Sequence, residues 1–191
     1  MERIANLLTE FLIKENNDKK MEFEVYRFAL LMSMEVLINI IIALILSSIF
    51  GMVGYGILFL ILFSLLRAFA GGIHLKTFWS CSLLSSAVLC VVLATVKFVV
   101  IPTILSCSIS IFISVLIYLV GPIDDINRRL LKKEHKIFYR KLGYLLLFLN
   151  FLSALFNFMN LYRITFMVCI TLVVFHVVQI AGKNKNMKMN G

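Results

Sequence analysis

From Phe28 to Leu66 the chain runs for 39 residues with one charged side chain, Glu35. That run fixes more about the fold than any other feature. In lipid the backbone must satisfy its own hydrogen bonds, so an apolar segment crosses as a helix of about 20 residues. Thirty-nine residues therefore make two crossings, and the glycines of "FGMVGYG", Gly51, Gly54 and Gly56, mark the turn between them. Further apolar runs follow: one from about 82 to 100, one from 103 to 120 beyond Pro102, one from 142 to 160, and one from 163 to 182. With the first two at about 28–50 and 52–69, they make six. The expected fold is an all-α integral membrane protein of about six transmembrane helices in a single domain over residues 1–191. At 61% apolar and 15% charged residues, the chain departs from the roughly 45–50% and 25% of soluble domains in the direction this requires.

Residues 1–20 lack the apolar centre of a secretory signal, and Glu2, Glu10, Glu15 and Asp18 are out of place in one. Ile4, Leu7, Leu8, Phe11 and Leu12 recur instead at the spacing of one helix face, which predicts an amphipathic helix lying in the interface.

The net charge of +9 raises the question of nucleic acid, and its placement answers it. Nearly all basic residues flank apolar runs, as topology signals do. Seven of them, Arg128, Arg129, Lys132, Lys133, Lys136, Arg140 and Lys141, fall in the polar segment 121–141, read here as a loop. With six spans, both termini, the 67–81 stretch and this loop share one side, which then carries 17 of the 19 Lys and Arg residues; Lys97 and Arg163 lie on the other. The excess of positive charge makes that side cytoplasmic. Five spans would put the C-terminal lysines outside. The basic tail "GKNKNMKMN" reads as disordered.

The stretch "RAFAGGIHLKTFWSC", residues 67–81, carries the chemistry. A cysteine hydrolase needs a thiolate and an imidazole that takes its proton and later returns it. His74 and Cys81 are such a pair, seven residues apart at a membrane boundary. On one continuous helix, seven residues would separate them by about 10.5 Å along the axis, too far for a hydrogen bond. A catalytic pair therefore requires a break, and Gly71 and Gly72 supply one. Cys81 would then open the third span, where a helix N-terminus favours the thiolate. Arg67 and Lys76 add positive charge. The competing reading is an interfacial histidine beside a glycine turn. Glu35, an intramembrane acid, is expected either to face the bundle interior near His74, as a candidate to orient it, or to mark a shorter first span that starts after it. His176, in "VVFHVVQ", reads as a hydrogen-bonded packing residue, and His135 as a solvated one. Trp79 and Phe78 read as interfacial anchors. Cys90, Cys107 and Cys169 sit inside apolar runs with no metal-ligand spacing and no disulfide framework. There is no HExxH, GxSxG or phosphate-loop motif, and neither metal nor organic cofactor is indicated.

"RAFAGGIH", followed six residues later by Cys81, resembles the active-site segment of AgrB proteins, the accessory gene regulator B endopeptidases of Gram-positive quorum sensing. The likeness extends to chain length, the amphipathic N-terminus, and a basic segment before the last two spans. One departure is the single proline of "GPIDDINRR", where the family suggests a more proline-rich segment. The resemblance implies Cys81 as nucleophile and His74 as its base, with Arg67 and Gly72 in support. It implies a bacterial cell-membrane protein acting on an AgrD-like propeptide, whose acidic tail is cleaved through a thioester before the signal segment closes into a thiolactone or lactone. The backbone N–H groups around Cys81, with Ser80 and Ser82, are the default oxyanion donors. The sequence leaves homodimerisation open. A rival class is a small transporter or channel with Glu35, Lys97 and His176 along a polar path.

Overall fold

The computed structural model describes residues 6–7, 9–10, 21–71, 78–123 and 132–190, with only the backbone for some of them, Phe78 and Cys81 included. Among the described residues all regular structure is helical. Six long helices follow in order: α1 (Met21–Ile49), α2 (Val53–Ala70), α3 (Phe78–Phe98), α4 (Thr103–Val120), α5 (Lys132–Phe158) and α6 (Tyr162–Asn190). Five are long and apolar enough to cross a membrane, and α3 contributes a shorter apolar stretch, Ser82–Phe98. The chain is a multi-pass, all-helical membrane protein. Of the N-terminal apolar face, Leu7 alone lies among the described residues; Ile4, Leu8, Phe11 and Leu12 fall outside them.

Residues 1–42 and 43–191 form two compact units. The first holds most of α1, including Glu35, whose backbone carbonyl accepts a bond from the Asn39 amide at 3.0 Å. The second is a bundle organised around α6, which packs on α2, α3, α4 and α5. More than half of the α6 span is buried (56%), against 28% for α2. Phe175, Met167, Val168 and Leu172 of α6 are at most 1% exposed. Two apolar clusters share its length: one gathers Phe59, Leu89, Val92, Leu93 and Met167, the other Leu66, Ile117, Leu142, Leu172 and Phe175.

The closest partnership, α4 with α6, follows from small residues. Ser106, Ser110 and Ser114 recur every four residues on one face of α4, and all three are buried. In lipid there is no water-driven force between helices, so small side chains that let backbones approach decide which helices pair. The hydroxyls of Ser106 and Ser110 bond back to carbonyls four residues earlier, at 3.5 and 2.8 Å. Ser114 accepts a bond from the Asn150 amide of α5 at 2.8 Å.

Short connections join α1 to α2, α3 to α4, and α5 to α6. Gly51 (φ +69°) closes the first, with its N–H donating to Ser48 O, while the Met52 N–H reaches Ser47 O. Asn160 (φ +59°) turns the last; it is a residue type that tolerates this region, and its side-chain oxygen accepts the Tyr162 hydroxyl at 2.7 Å.

Two elements differ from their sequence reading. Lys132–Lys141 is helical and forms the first turns of α5, so only the first part of 121–141 remains as a connection. Lys, Arg and Glu are good helix formers, and a helix stabilised by its apolar half extends into them once outside the membrane. His135 is accordingly a half-buried helical residue, not a loop residue in water. Likewise α6 continues through the basic tail to Asn190.

Candidate active site at the α2–α4 junction

The C-terminal end of α2 is fixed by backbone chemistry. Gly71 stands at φ +75°, and its N–H donates to Arg67 O at 3.0 Å, which ends the helix at Ala70. A break in the chain thus precedes His74, where the two glycines called for one. α4 ends in the same manner. Gly121 stands at φ +72° and its N–H donates to Ile117 O at 3.1 Å.

The two ends then dock. The Ile123 N–H donates to Ala70 O at 3.0 Å, and a Cβ on Gly71 would stand 2.7 Å from Ile123 O. Backbone meets backbone here, so only glycine fits at position 71. Two other helices hold the Gly121–Ile123 strap. The side-chain amide of Gln179, on α6 and fully buried, donates to Gly121 O at 2.9 Å and Ile117 O at 3.3 Å. From α5, the Tyr139 hydroxyl donates to Tyr118 O at 2.8 Å, and the two rings meet edge to face at 4.5 Å. A Cβ on Gly121 would stand 2.8 Å from the Tyr139 ring. Phe69 of α2 lies 6.4 Å from Phe138 of α5.

This end of the bundle therefore collects the end of α2, the end of α4, the start of α5 and the late part of α6. The residues singled out from sequence distribute around it as follows. Arg67 lies half-buried in the last turn of α2, with its backbone oxygen closing the Gly71 cap. Cys81 is the fourth described residue of α3. Gly72, His74 and Lys76 lie outside the described residues, so the His74–Cys81 geometry does too. Glu35 belongs to the N-terminal unit. Trp79 is 67% exposed near the start of α3, where an interfacial anchor belongs.

His176 is half-buried, and its Nδ1 lies 3.4 Å from Gln179 Oε1. It serves the packing role read from the sequence. The residue missed there was its neighbour three positions on. Gln179 is the one carboxamide in the apolar run 163–182, and an intramembrane amide with two donors must find acceptors. That rule was enough to flag it. Its partners, 58 and 62 residues away in sequence, were not readable.

The described cysteines, Cys90, Cys107 and Cys169, are free thiols within the bundle. Cys107 Sγ lies 3.9 Å from Ser153 Oγ. Among the described residues, no three His, Cys, Asp or Glu side chains converge as a metal site.

The family model of AgrB, accessory gene regulator B, matches residues 5–181, nearly the whole chain. The chain belongs to the AgrB family. No curated relative and no solved structure matches it. Membership makes it a membrane-associated processing protein of accessory gene regulator quorum sensing, a family whose substrate is the AgrD propeptide. The AgrB match takes in both the stretch 67–81, with His74 and Cys81, and the Gly121–Ile123 strap that docks on the end of α2.

Proposed function

We propose that this AgrB protein is a membrane cysteine endopeptidase that removes the acidic C-terminal tail of an AgrD-like propeptide, with Cys81 as nucleophile and His74 as general base. The observation that carries the reading is the family match, whose span of residues 5–181 includes the "RAFAGGIH" segment and Cys81. Two structural features support it. Cys81 lies among the first described residues of α3, which agrees with a nucleophile that opens the third span. The bundle end that holds these residues is also the strongly basic one, which by the positive-inside rule faces the cytoplasm and suits an acidic tail.

In the proposed sequence, His74 takes the Cys81 proton and the thiolate attacks the carbonyl before the tail. Backbone N–H groups at the start of α3, with Ser80 and Ser82, stabilise the tetrahedral oxyanion. The C–N bond breaks, the imidazolium protonates the departing amine, and the signal segment remains as a Cys81 thioester. A Cys or Ser side chain of that segment, deprotonated by His74, then attacks the thioester. The ring closes and the Cys81 thiolate leaves. Arg67 and Lys76 hold anionic substrate groups, Gly71 and Gly72 shape the turn, and Glu35 is the candidate orienting group for His74. A site at the interface limits the water that would hydrolyse the thioester.

The transporter reading places Glu35, Lys97 and His176 on one path. Two of these are already engaged: the Lys97 ammonium donates to Phe50 O at 3.0 Å, and His176 faces Gln179. The deciding experiment co-expresses the protein with an AgrD-like propeptide and reads products by mass spectrometry. The expected result is tail release by wild type and His176→Ala, slowed release by Glu35→Gln, none by Cys81→Ala or His74→Ala, and a trappable propeptide adduct on Cys81. Tail release by Cys81→Ala would sink the proposal.

A further inference from the structure

The segment that carries His74 leaves α2 at Gly71, and among the described residues the Gly121–Ile123 strap meets that end of α2. The Ile123 N–H binds the last carbonyl of α2, Ala70 O, at 3.0 Å, and a Cβ on Gly71 would stand 2.7 Å from the Ile123 carbonyl oxygen. The strap is held in turn by the Tyr139 ring of α5 and by one buried side chain late in the bundle's central helix. Gln179 is fully buried and donates to Gly121 O and Ile117 O at 2.9 and 3.3 Å. His176 Nδ1 stands 3.4 Å from its oxygen, which sets which way the amide faces. The path from Gln179 to Gly71 is therefore two hydrogen bonds long, and His74 is three residues beyond it.

A fully buried carboxamide near the end of a membrane helix is costly unless its hydrogen bonds are made. Packing alone does not call for it, since a methionine fills the same volume without any polar atom. Of the two carbonyls it binds, Ile117 O already accepts the Gly121 N–H that caps α4, and Gly121 O lies just beyond the helix end. Gln179 thus ties the central helix to the α4 terminus at the point where that terminus supports α2.

We infer that Gln179 and the Gly121–Ile123 strap are positioning elements for the endopeptidase site, setting where the His74-bearing segment starts relative to α3 and Cys81. The inference rests on the endopeptidase reading above. It assigns Gln179 no contact with substrate. Its effect is on how often His74 and Cys81 meet, so it belongs in turnover and in the His74-dependent ionisation of the thiol. Misplacement of a reacting group by about 1 Å costs on the order of 100-fold in rate.

The test uses full-length protein in detergent-stabilised bilayers, with Gln179→Met and Gly71→Ala as the two variants. Gln179→Met removes both donors at nearly constant volume. Gly71→Ala acts outside the spans, forcing the α2 end away from Ile123 O. Two readouts are taken. One is the kinetics of tail release from an AgrD-like propeptide. The other is the pH dependence of Cys81 alkylation by iodoacetamide, followed on the Cys81 peptide by mass spectrometry, with His74→Ala as reference. The expected result for both variants is kcat lowered at least 10-fold, KM within about twofold of wild type, and a Cys81 alkylation profile displaced towards that of His74→Ala. A Gln179→Met protein that is folded but keeps wild-type kcat and alkylation profile overturns the inference. So does a loss confined to KM. Should Gln179→Met not fold, Gly71→Ala decides by the same criteria. Where wild type cleaves and Cys81→Ala does not, a silent Gln179→Met removes only the positioning role. Where Cys81→Ala cleaves as well as wild type, the endopeptidase reading falls and takes the inference with it.

Discussion

Gly56 and Ser47 face each other across the α1–α2 hairpin so closely that a methyl group on Gly56 has nowhere to go. A Cβ built there would overlap Ser47 Oγ and lie 2.6 Å from Ser47 Cβ. Rotating the serine removes the first overlap, at the expense of its 2.6 Å bond to Ala43 O. It cannot remove the second, because Cβ does not move with the side-chain torsion. Carbon–carbon contacts settle at about 3.5–4.0 Å, so Gly56→Ala must open the hairpin by roughly 1 Å, a gap that forfeits a quarter to a half of each affected contact. Overpacking of this kind costs about 1–3 kcal/mol, and the helix preference of Ala over Gly returns at most about 1 kcal/mol. The net expectation is a loss of about 1–2 kcal/mol, measured as equilibrium unfolding in mixed micelles of mild detergent and dodecyl sulfate. Ser47→Gly supplies the control, since the same Cβ then sees only the Cα of residue 47 at 3.9 Å. In that background Gly56→Ala becomes neutral or stabilising, giving a coupling of about 1–3 kcal/mol in the double-mutant cycle. An equal penalty in both backgrounds, or no penalty in either, would refute the steric argument.

Asn150→Leu removes the bonds to Ser114 Oγ and Leu146 O, both at 2.8 Å. Bonds of this kind within membrane proteins average about 0.6 kcal/mol, so the expected loss is about 0.5–1.5 kcal/mol in the same unfolding assay. Tyr139→Phe keeps the ring against Tyr118 and loses only the 2.8 Å bond to Tyr118 O. It is expected to cost about 0.5–1.5 kcal/mol, and a loss above about 3 kcal/mol would mean that the ring had moved. Phe175→Ala empties a fully buried site whose ring meets Phe63 edge-on at 5.8 Å. Comparable truncations in soluble cores cost about 3–5 kcal/mol. Here the value should fall at or below that range, because lipid solvates an exposed phenyl ring far better than water does.

The parts of this fold legible from sequence are those that the bilayer dictates. α4 is the clearest case: Pro102 stops the preceding segment, Gly121 carries the positive φ that ends the helix, and the apolar run between them is the helix Thr103–Val120. The start of α5 was not legible from the same signal. Hydropathy marks where lipid ends, while the helix continues into Lys132–Lys141 because those residues favour helix in water too. At the site, residue types and spacing pick out His74 and Cys81, and Gly71 could be read as a break. The docking of Ile123 on Ala70 could not, since backbone-to-backbone contacts leave no mark on side-chain chemistry except the glycine that permits them. Gln179 shows both halves of the problem. Its polarity in an apolar run is visible, and its partners are set by tertiary packing alone.

The two ends of the bundle solve one problem with different chemistry. At each, a helix terminus leaves carbonyls without intrahelical donors, and a side chain from another helix supplies one. Where the α1–α2 turn meets α3, the donor is the exposed ammonium of Lys97, at 3.0 Å from Phe50 O. An exposed cation at that position stays hydrated and bonds the carbonyl as well. Where α4 ends, the donor is the neutral, fully buried amide of Gln179. A lysine there would lose its hydration and have two carbonyl dipoles in return, far less than a buried charge needs. The choice of amide over ammonium therefore follows from how dry each end is. The buried amide is the donor at the α4 end, against which α2 stops at Ala70.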